Sequence, residues 1–159
     1  MKLATFHTDT RHTWGAITDN GVIDLGARLE DSYPRLVDLI AHEAVATAAD
    51  MATVSDPDYP LADITYLPPI QCPEKIICIG VNYGDRNAEY KDGSEAPKYP
   101  SVFLRTPDSL VGHGQPILRP PESEQFDYEG EIAIIIGKTG RRIPEAEAES
   151  YIAGLTCVE

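Results

Sequence analysis

Two glutamates separated by one glycine head an isoleucine run in Asp127-Tyr128-Glu129-Gly130-Glu131-Ile132-Ala133-Ile134-Ile135-Ile136-Gly137. Read as a strand over 129–136, the segment projects Glu129 and Glu131 from one face, about 7 Å apart along the backbone. Ala133 and Ile135 continue that face, and Ile132, Ile134 and Ile136 line the other. A strand apolar on both faces is expected to be buried on both, which puts Glu131 at the edge of a core. A bare carboxylate there costs roughly several kcal/mol. A hard divalent cation, held through oxygen and keeping several waters, offsets that cost, and Gly130 leaves room for close approach to the backbone. The same three residues are equally readable as the solvated beginning of a strand, because two glutamates flanking one residue are common.

The chain that must position these residues has 159 of them, enough for one ordinary domain or a small domain joined to part of a second. Hydrophobic residues at 42% and charged residues at 25% predict a packed globular core. The net charge of −13 is spread evenly, with +4 and −11 in residues 1–70 and +9 and −15 in residues 71–159. An acidic surface of this kind repels phosphate backbones and anionic lipid, so neither nucleic acid nor membrane is an expected partner. Cys72, Cys78 and Cys157 form no C-x-x-C pair and leave an odd thiol, against a disulfide framework or a cysteine zinc site. The start of the chain lacks the pattern of an export signal, and the longest apolar run, 132–136, is far too short to span a bilayer. These features predict a cytoplasmic protein.

The elements follow from periodicity and punctuation. Strands are expected over 2–7, 13–18 and 22–25, the last two joined by an Asp19-Asn20-Gly21 turn. Leu36, Leu39, Ile40 and Ala44 recur at helical spacing and predict one amphipathic helix over 34–49, with Ser32 near its cap. Five prolines in 55–73 predict an extended connector and a domain boundary near residue 70. Beyond it the sequence predicts a strand over 75–79, a short helix over 84–90, a charged loop over 91–100 able to cover a site, and a strand over 101–105. A turn at Gly112-His113-Gly114, a strand near Ile117 and Leu118, the carboxylate strand, and a helix opened by Pro144 and ended at Gly154 complete the pattern. Leu155-Thr156-Cys157-Val158 has strand character and no evident partner, so the sequence reads as an N-terminal portion of a longer chain.

Three strings in this order carry a resemblance: Lys75-Ile76-Ile77-Cys78-Ile79-Gly80-Val81-Asn82-Tyr83, Glu124-Gln125-Phe126-Asp127-Tyr128-Glu129-Gly130-Glu131-Ile132-Ala133, and Ile152-Ala153-Gly154-Leu155-Thr156-Cys157. Together they resemble the fumarylacetoacetate hydrolase family, closely over 70–159 and loosely over the leading module. The resemblance implies a mixed β-rich α+β fold: a small β-rich N-terminal module with linker over 1–70, then the first part of a β-roll catalytic domain over 71–159. It implies that Glu129 and Glu131 bind Mg²⁺ or Mn²⁺. The family's third ligand, an aspartate soon after the segment matching Thr156-Cys157-Val158, would fall beyond Glu159, which agrees with the expectation of a longer chain.

Within Asn82-Tyr83-Gly84-Asp85-Arg86-Asn87-Ala88-Glu89, the family commonly has a histidine at the position of Arg86 and a glutamate at Glu89, an acid/base pair on a short helix. Arginine stays protonated at neutral pH, so Arg86 is not a base; it anchors a substrate carboxylate or holds Glu89 by an ion pair, leaving Glu89 to handle the proton. An exposed helix pair of small energetic value is the alternative. Arg105 stands where the family often has lysine and is a candidate for a carboxylate or keto oxygen. His113 and Tyr83 are further substrate-binding candidates, with an exposed turn and a core tyrosine as their plain readings. The implied activity is metal-dependent hydrolysis of a C–C bond in a 2-oxo or 2,4-dioxo acid of the acylpyruvate type, in a homodimer. The alternatives are an isomerase, lyase or decarboxylase on a related 2-oxo acid, or an inactive truncated subunit that only binds or assembles.

Overall fold

A computed structural model describes residues 1–82 and 98–159. Its elements are strand-rich mixed α+β, and the chain divides into two compact units, Met1–Ile70 with Val111–Glu159, and Gln71–Leu110.

In the first unit, β1 (Lys2–His7) and β2 (His12–Thr18) form an antiparallel hairpin, and β2 continues through the Asp19-Asn20 turn into β3 (Gly21–Asp24). Gly21 takes a φ of 141° and lies against the Tyr59 carbonyl, a conformation and a clearance that only glycine provides. β4 (Thr65–Leu67) pairs with the other side of β1, giving a sheet of order β3-β2-β1-β4. The core on one face gathers Trp14, Ala16, Ile23, Leu25, Leu36, Leu39 and Ala48. Trp14 buries its ring and donates its indole N–H to the Tyr33 carbonyl at 2.9 Å, so the buried donor is satisfied.

Asp24 ends β3 and caps α1 (Leu25–Arg28), accepting from Ala27 N at 2.8 Å and from the Thr13 hydroxyl at 2.5 Å. The predicted single helix over 34–49 is two, α2 (Leu36–Ala41) and α3 (Val45–Thr53), with Arg35 rather than Ser32 at the first cap. The break is a Schellman turn: Ala44 N bonds to Leu39 O at 3.0 Å and Glu43 N to Ile40 O at 2.9 Å, with Glu43 in the left-handed region at φ 54°. Apolar periodicity passes through such a turn without recording it.

The predicted connector over 55–73 is corrected as well. Asp58 and Tyr59 bond to the Val22 carbonyl, Leu61–Asp63 form a 3-10 turn, and β4 follows, so these residues are part of the sheet. Arg28 grips Asp58 through two nitrogens at 2.6 and 2.9 Å, and Asp58 also accepts from Asp24 N at 2.7 Å. Prolines break helices but leave room for short strands between them.

Also in this unit, β7 (Glu131–Ile136) and β8 (Ile152–Val158) form a two-stranded antiparallel ladder, with α4 (Glu145–Ala148) and a 3-10 turn (Glu149–Tyr151) between them. Four expectations change here. The helix opened by Pro144 stops at Ala148, and Gly154 lies within a strand. The terminal strand is longer than its last four residues and has a partner in β7, against the reading that left it unpaired. No strand forms at Ile117 and Leu118, where two prolines follow at 120 and 121. Finally, β7 is not buried on both faces: Ile132, Ile134 and Ile136 are exposed at 70%, 54% and 64%.

In the second unit, β5 (Ile76–Gly80) pairs antiparallel with β6 (Ser101–Arg105), close to the predicted bounds. Ile77, Ile79, Val102 and Leu104 share one exposed face of this pair. The three cysteines are free thiols, in agreement with their odd number and spacing.

Candidate functional site

The carboxylate pair is placed by the start of β7. The β-branched run Ile132–Ile136 favours a strand, and the ladder sets Glu131 opposite Val158 and Ala133 opposite Thr156. Glu131, Ala133 and Ile135 therefore share a face with Val158, Thr156 and Gly154. The ladder is irregular between Ile135 and Ile136, because Ile136 pairs with Ile152 and Ala153 is the extra residue. Gly137 N then bonds to Tyr151 O at 2.8 Å and closes the far end.

Glu129 and Gly130 lie outside the strand, which begins at Glu131. The expectation that strand alternation puts both carboxylates on one face is thus replaced: Glu131 is fixed by the ladder, whereas Glu129 belongs to the preceding loop. Both are exposed, so the predicted burial of Glu131 at a core edge does not hold. Within the loop, Asp127 accepts from Tyr128 N at 2.9 Å, which spends its carboxylate on the turn itself. A Cβ at Gly130 would meet no atom within 4 Å among the described residues. Among those residues no three histidine, cysteine, aspartate or glutamate side chains converge as a metal cage. Glu129 and Glu131 are carboxylates two residues apart, and carboxylate oxygen is the donor type that hard cations take.

His113 sits in the predicted turn, exposed, with its ring edge-on to Tyr66 at 5.8 Å and 82°. Its neighbour Gly112 is buried against the Tyr66 carbonyl, where a side chain would overlap backbone, so the turn lies close along β4. The contact with Tyr66 was hidden in the proline-rich segment; its signal was the β-prone triplet Thr65-Tyr66-Leu67. In the second unit, Arg105 ends β6, exposed, its guanidinium 5.4 Å from the Phe103 ring centroid. Tyr99 and Tyr128 are exposed at 72% and 77%. Tyr83, Arg86 and Glu89, the predicted helix over 84–90 and most of the predicted loop over 91–100 lie outside the described residues.

The chain is 35% identical over 139 residues to the mitochondrial oxaloacetate tautomerase FAHD2A of Bos taurus, a match that covers 86% of this chain and 43% of that protein. Among solved structures, maleylpyruvate hydrolase from Sphingobium sp. SYK-6, in complex with manganese(II) and pyruvate, superposes with a TM-score of 0.78 at 26% identity, over 99% of this chain and 57% of that one. The fumarylacetoacetate hydrolase of Exiguobacterium antarcticum gives 0.72 at 29% identity, over 99% and 54%. The chain thus spans about half the length of the relatives it matches. Residues 75–159, which include the Glu129-Gly130-Glu131 motif and both strand pairs β5–β6 and β7–β8, match the family model described as fumarylacetoacetate (FAA) hydrolase C-terminal, and the chain belongs to the fumarylacetoacetate hydrolase family.

Proposed function

We propose that the whole protein is a divalent-metal-dependent hydrolase that cleaves a C–C bond in a 2-oxo or 2,4-dioxo acid of the acylpyruvate type. The observation that carries this reading is the Glu129-Gly130-Glu131 motif at the head of β7, inside the matched family region of a chain that superposes on a hydrolase solved with manganese and pyruvate. Glu129 and Glu131 would supply oxygen ligands to Mg²⁺ or Mn²⁺. Such a cation, when bound, withdraws electron density from keto and carboxylate oxygens and lowers the energy of an enolate.

The remaining roles rest on the family resemblance together with side-chain chemistry. Glu89 accepts and returns a proton, because it stands at the family's glutamate position and, unlike Arg86, takes up a proton at neutral pH. Arg86 and Arg105 grip carboxylate or keto oxygens, and Tyr83 and His113 contribute to substrate binding. The domain division follows the sequence, with a small module over 1–70 and the catalytic domain from 71 onward. The proposed assembly is a homodimer. The proposed location is the cytoplasm, although the bovine relative is named as mitochondrial; no helix among the described residues is long and apolar enough to cross a membrane.

A second reading, keto–enol isomerisation without bond cleavage, is favoured by the 35% identity to a protein named as an oxaloacetate tautomerase. Both readings involve an enolate: in hydrolysis it would leave as the C–C bond breaks after water adds to the acyl carbon, and in isomerisation it would form by loss of a carbon-bound proton with no C–C bond broken. The test takes the whole protein with Mn²⁺ and follows an acylpyruvate panel for release of pyruvate, alongside enol-oxaloacetate for loss of enol absorbance. Hydrolysis predicts pyruvate release that Glu129→Gln and Glu131→Gln each abolish, together with weakened Mn²⁺ binding by calorimetry and an unchanged circular-dichroism spectrum. Enol loss without pyruvate release selects the isomerase. Mn²⁺ binding at parental strength in both variants refutes the assignment of the two glutamates.

A further inference from the structure

We propose that His7 and His12 form a two-imidazole site for a borderline transition-metal cation of the Ni²⁺ or Zn²⁺ class, clamping the β1–β2 hairpin. The two residues are register partners at the end of the ladder. Just beyond them, Thr8 N bonds to Arg11 O at 2.9 Å. Bonded and non-bonded pairs alternate along an antiparallel ladder, so His7 and His12 form a non-hydrogen-bonded pair, the kind that brings facing side chains closest. Their rings lie 5.4 Å apart, centroid to centroid, and 23° from parallel.

His7 Nδ1 is 3.3 Å from the Thr8 carbonyl. The tautomer that donates Nδ1–H to this oxygen leaves the Nε2 lone pair available, and a backbone carbonyl holding the other ring nitrogen is the arrangement that fixes metal-binding imidazoles. His12 is exposed, and among the described residues its ring has no hydrogen-bond partner. The adjacent cation, Arg11, turns to Asp24 at 3.9 Å and Glu30 at 3.7 Å, which directs its charge onto those carboxylates. Imidazole nitrogen selects Ni²⁺, Cu²⁺ or Zn²⁺ over the hard cations that suit Glu129 and Glu131. Water would complete the coordination shell. Once one ring binds, the facing ring is already held beside it by the hairpin, so the pair should bind at least about tenfold more tightly than either ring alone.

The test titrates the full chain with NiCl₂ in excess MgCl₂, read by calorimetry, by the imidazole nitrogen resonances and by thermal melting. Magnesium occupies carboxylate sites and competes poorly for imidazole, so it separates this site from the Glu129–Glu131 proposal. The expected result is one Mg²⁺-resistant Ni²⁺ site that perturbs the His7 and His12 resonances together and raises the melting temperature. His7→Gln and His12→Gln should each weaken it at least about tenfold and remove the thermal shift, while His42→Gln keeps both. Parental affinity in either of the first two variants, displacement of Ni²⁺ by Mg²⁺, or perturbation of one ring alone would overturn the proposal.

Discussion

Removing the Asp24 carboxylate should cost the N-terminal module at most about 2–3 kcal/mol, and the structure says where this comes from. Asp24 is 1% exposed. Its Oδ1 caps α1 by accepting from Ala27 N at 2.8 Å, and loss of such a cap typically costs about 1 kcal/mol. The same oxygen accepts from the Thr13 hydroxyl at 2.5 Å, and Thr13 is only 5% exposed, so Asp24→Ala strands a buried donor at a further cost of about 1–2 kcal/mol. One term opposes these. Asp24 Oδ2 is buried without a hydrogen-bond partner, with the Arg11 guanidinium 3.9 Å away, and its removal relieves an unmet acceptor. The natural assay is urea unfolding followed by tryptophan fluorescence, because the chain has one tryptophan, Trp14, and it lies in the core beside this cap. Asp24→Ala should lower the urea midpoint without changing the slope. In a double-mutant cycle with Thr13→Ala, the coupling should be roughly 1 kcal/mol. A loss below about 0.5 kcal/mol, or no coupling, would show that the buried carboxylate is as costly as its bonds are favourable.

Two further outcomes follow from the same module. Hydrogen bonds from Arg28, ahead of the one from Asp24 N, hold the Asp58 carboxyl below its ordinary range against the opposing effect of burial. Because its folded value is depressed, its stabilising contribution is complete above the ordinary carboxylate range and is lost as pH falls through the lowered value. Asp58→Asn should therefore destabilise the protein at pH 7 and reduce the loss of stability on acidification, as measured by urea midpoints across pH 2–7; an unaltered pH dependence would remove Asp58 from that role. Gly112→Ala should cost about 1–3 kcal/mol by forcing a Cβ into the Tyr66 carbonyl, and the His113 imidazole resonances should shift as its ring leaves Tyr66.

Local signals made much of the fold legible. The Asp19-Asn20-Gly21 turn sits between β2 and β3, and the strands over 2–7 and 101–105 match β1 and β6. What escaped was set by tertiary context. The break between α2 and α3 depends on Glu43 accepting a left-handed conformation that is usually given to glycine, and its side chain pairs with Lys138 at 3.0 Å, ninety-five residues away in sequence. β4 is a three-residue strand among prolines that exists because β1 has an open edge to pair with. Pro144 was a true start signal, but the helix it opens lasts one turn, since Ile152 must enter register with Ile136. The candidate site was legible as a motif, with Arg105 and His113 found at the strand end and turn expected of them.

The case for the two glutamates changes its footing once β7 is described. From the isoleucine run alone, the cation was needed to offset the burial of Glu131, yet Glu131 is exposed and owes no such desolvation cost. An exposed carboxylate can stay ionised in water unaided, so burial supplies no reason for metal here. Two other observations support the ligand role. The pair lies at the head of β7 within the region that matches the family model, and β8 holds β7 in register from Glu131 to Ile135, giving Glu131 a defined base. On the opposite face of β7, Ile132, Ile134 and Ile136 form an exposed apolar row, so covering that face would stabilise the strand on which Glu131 is held.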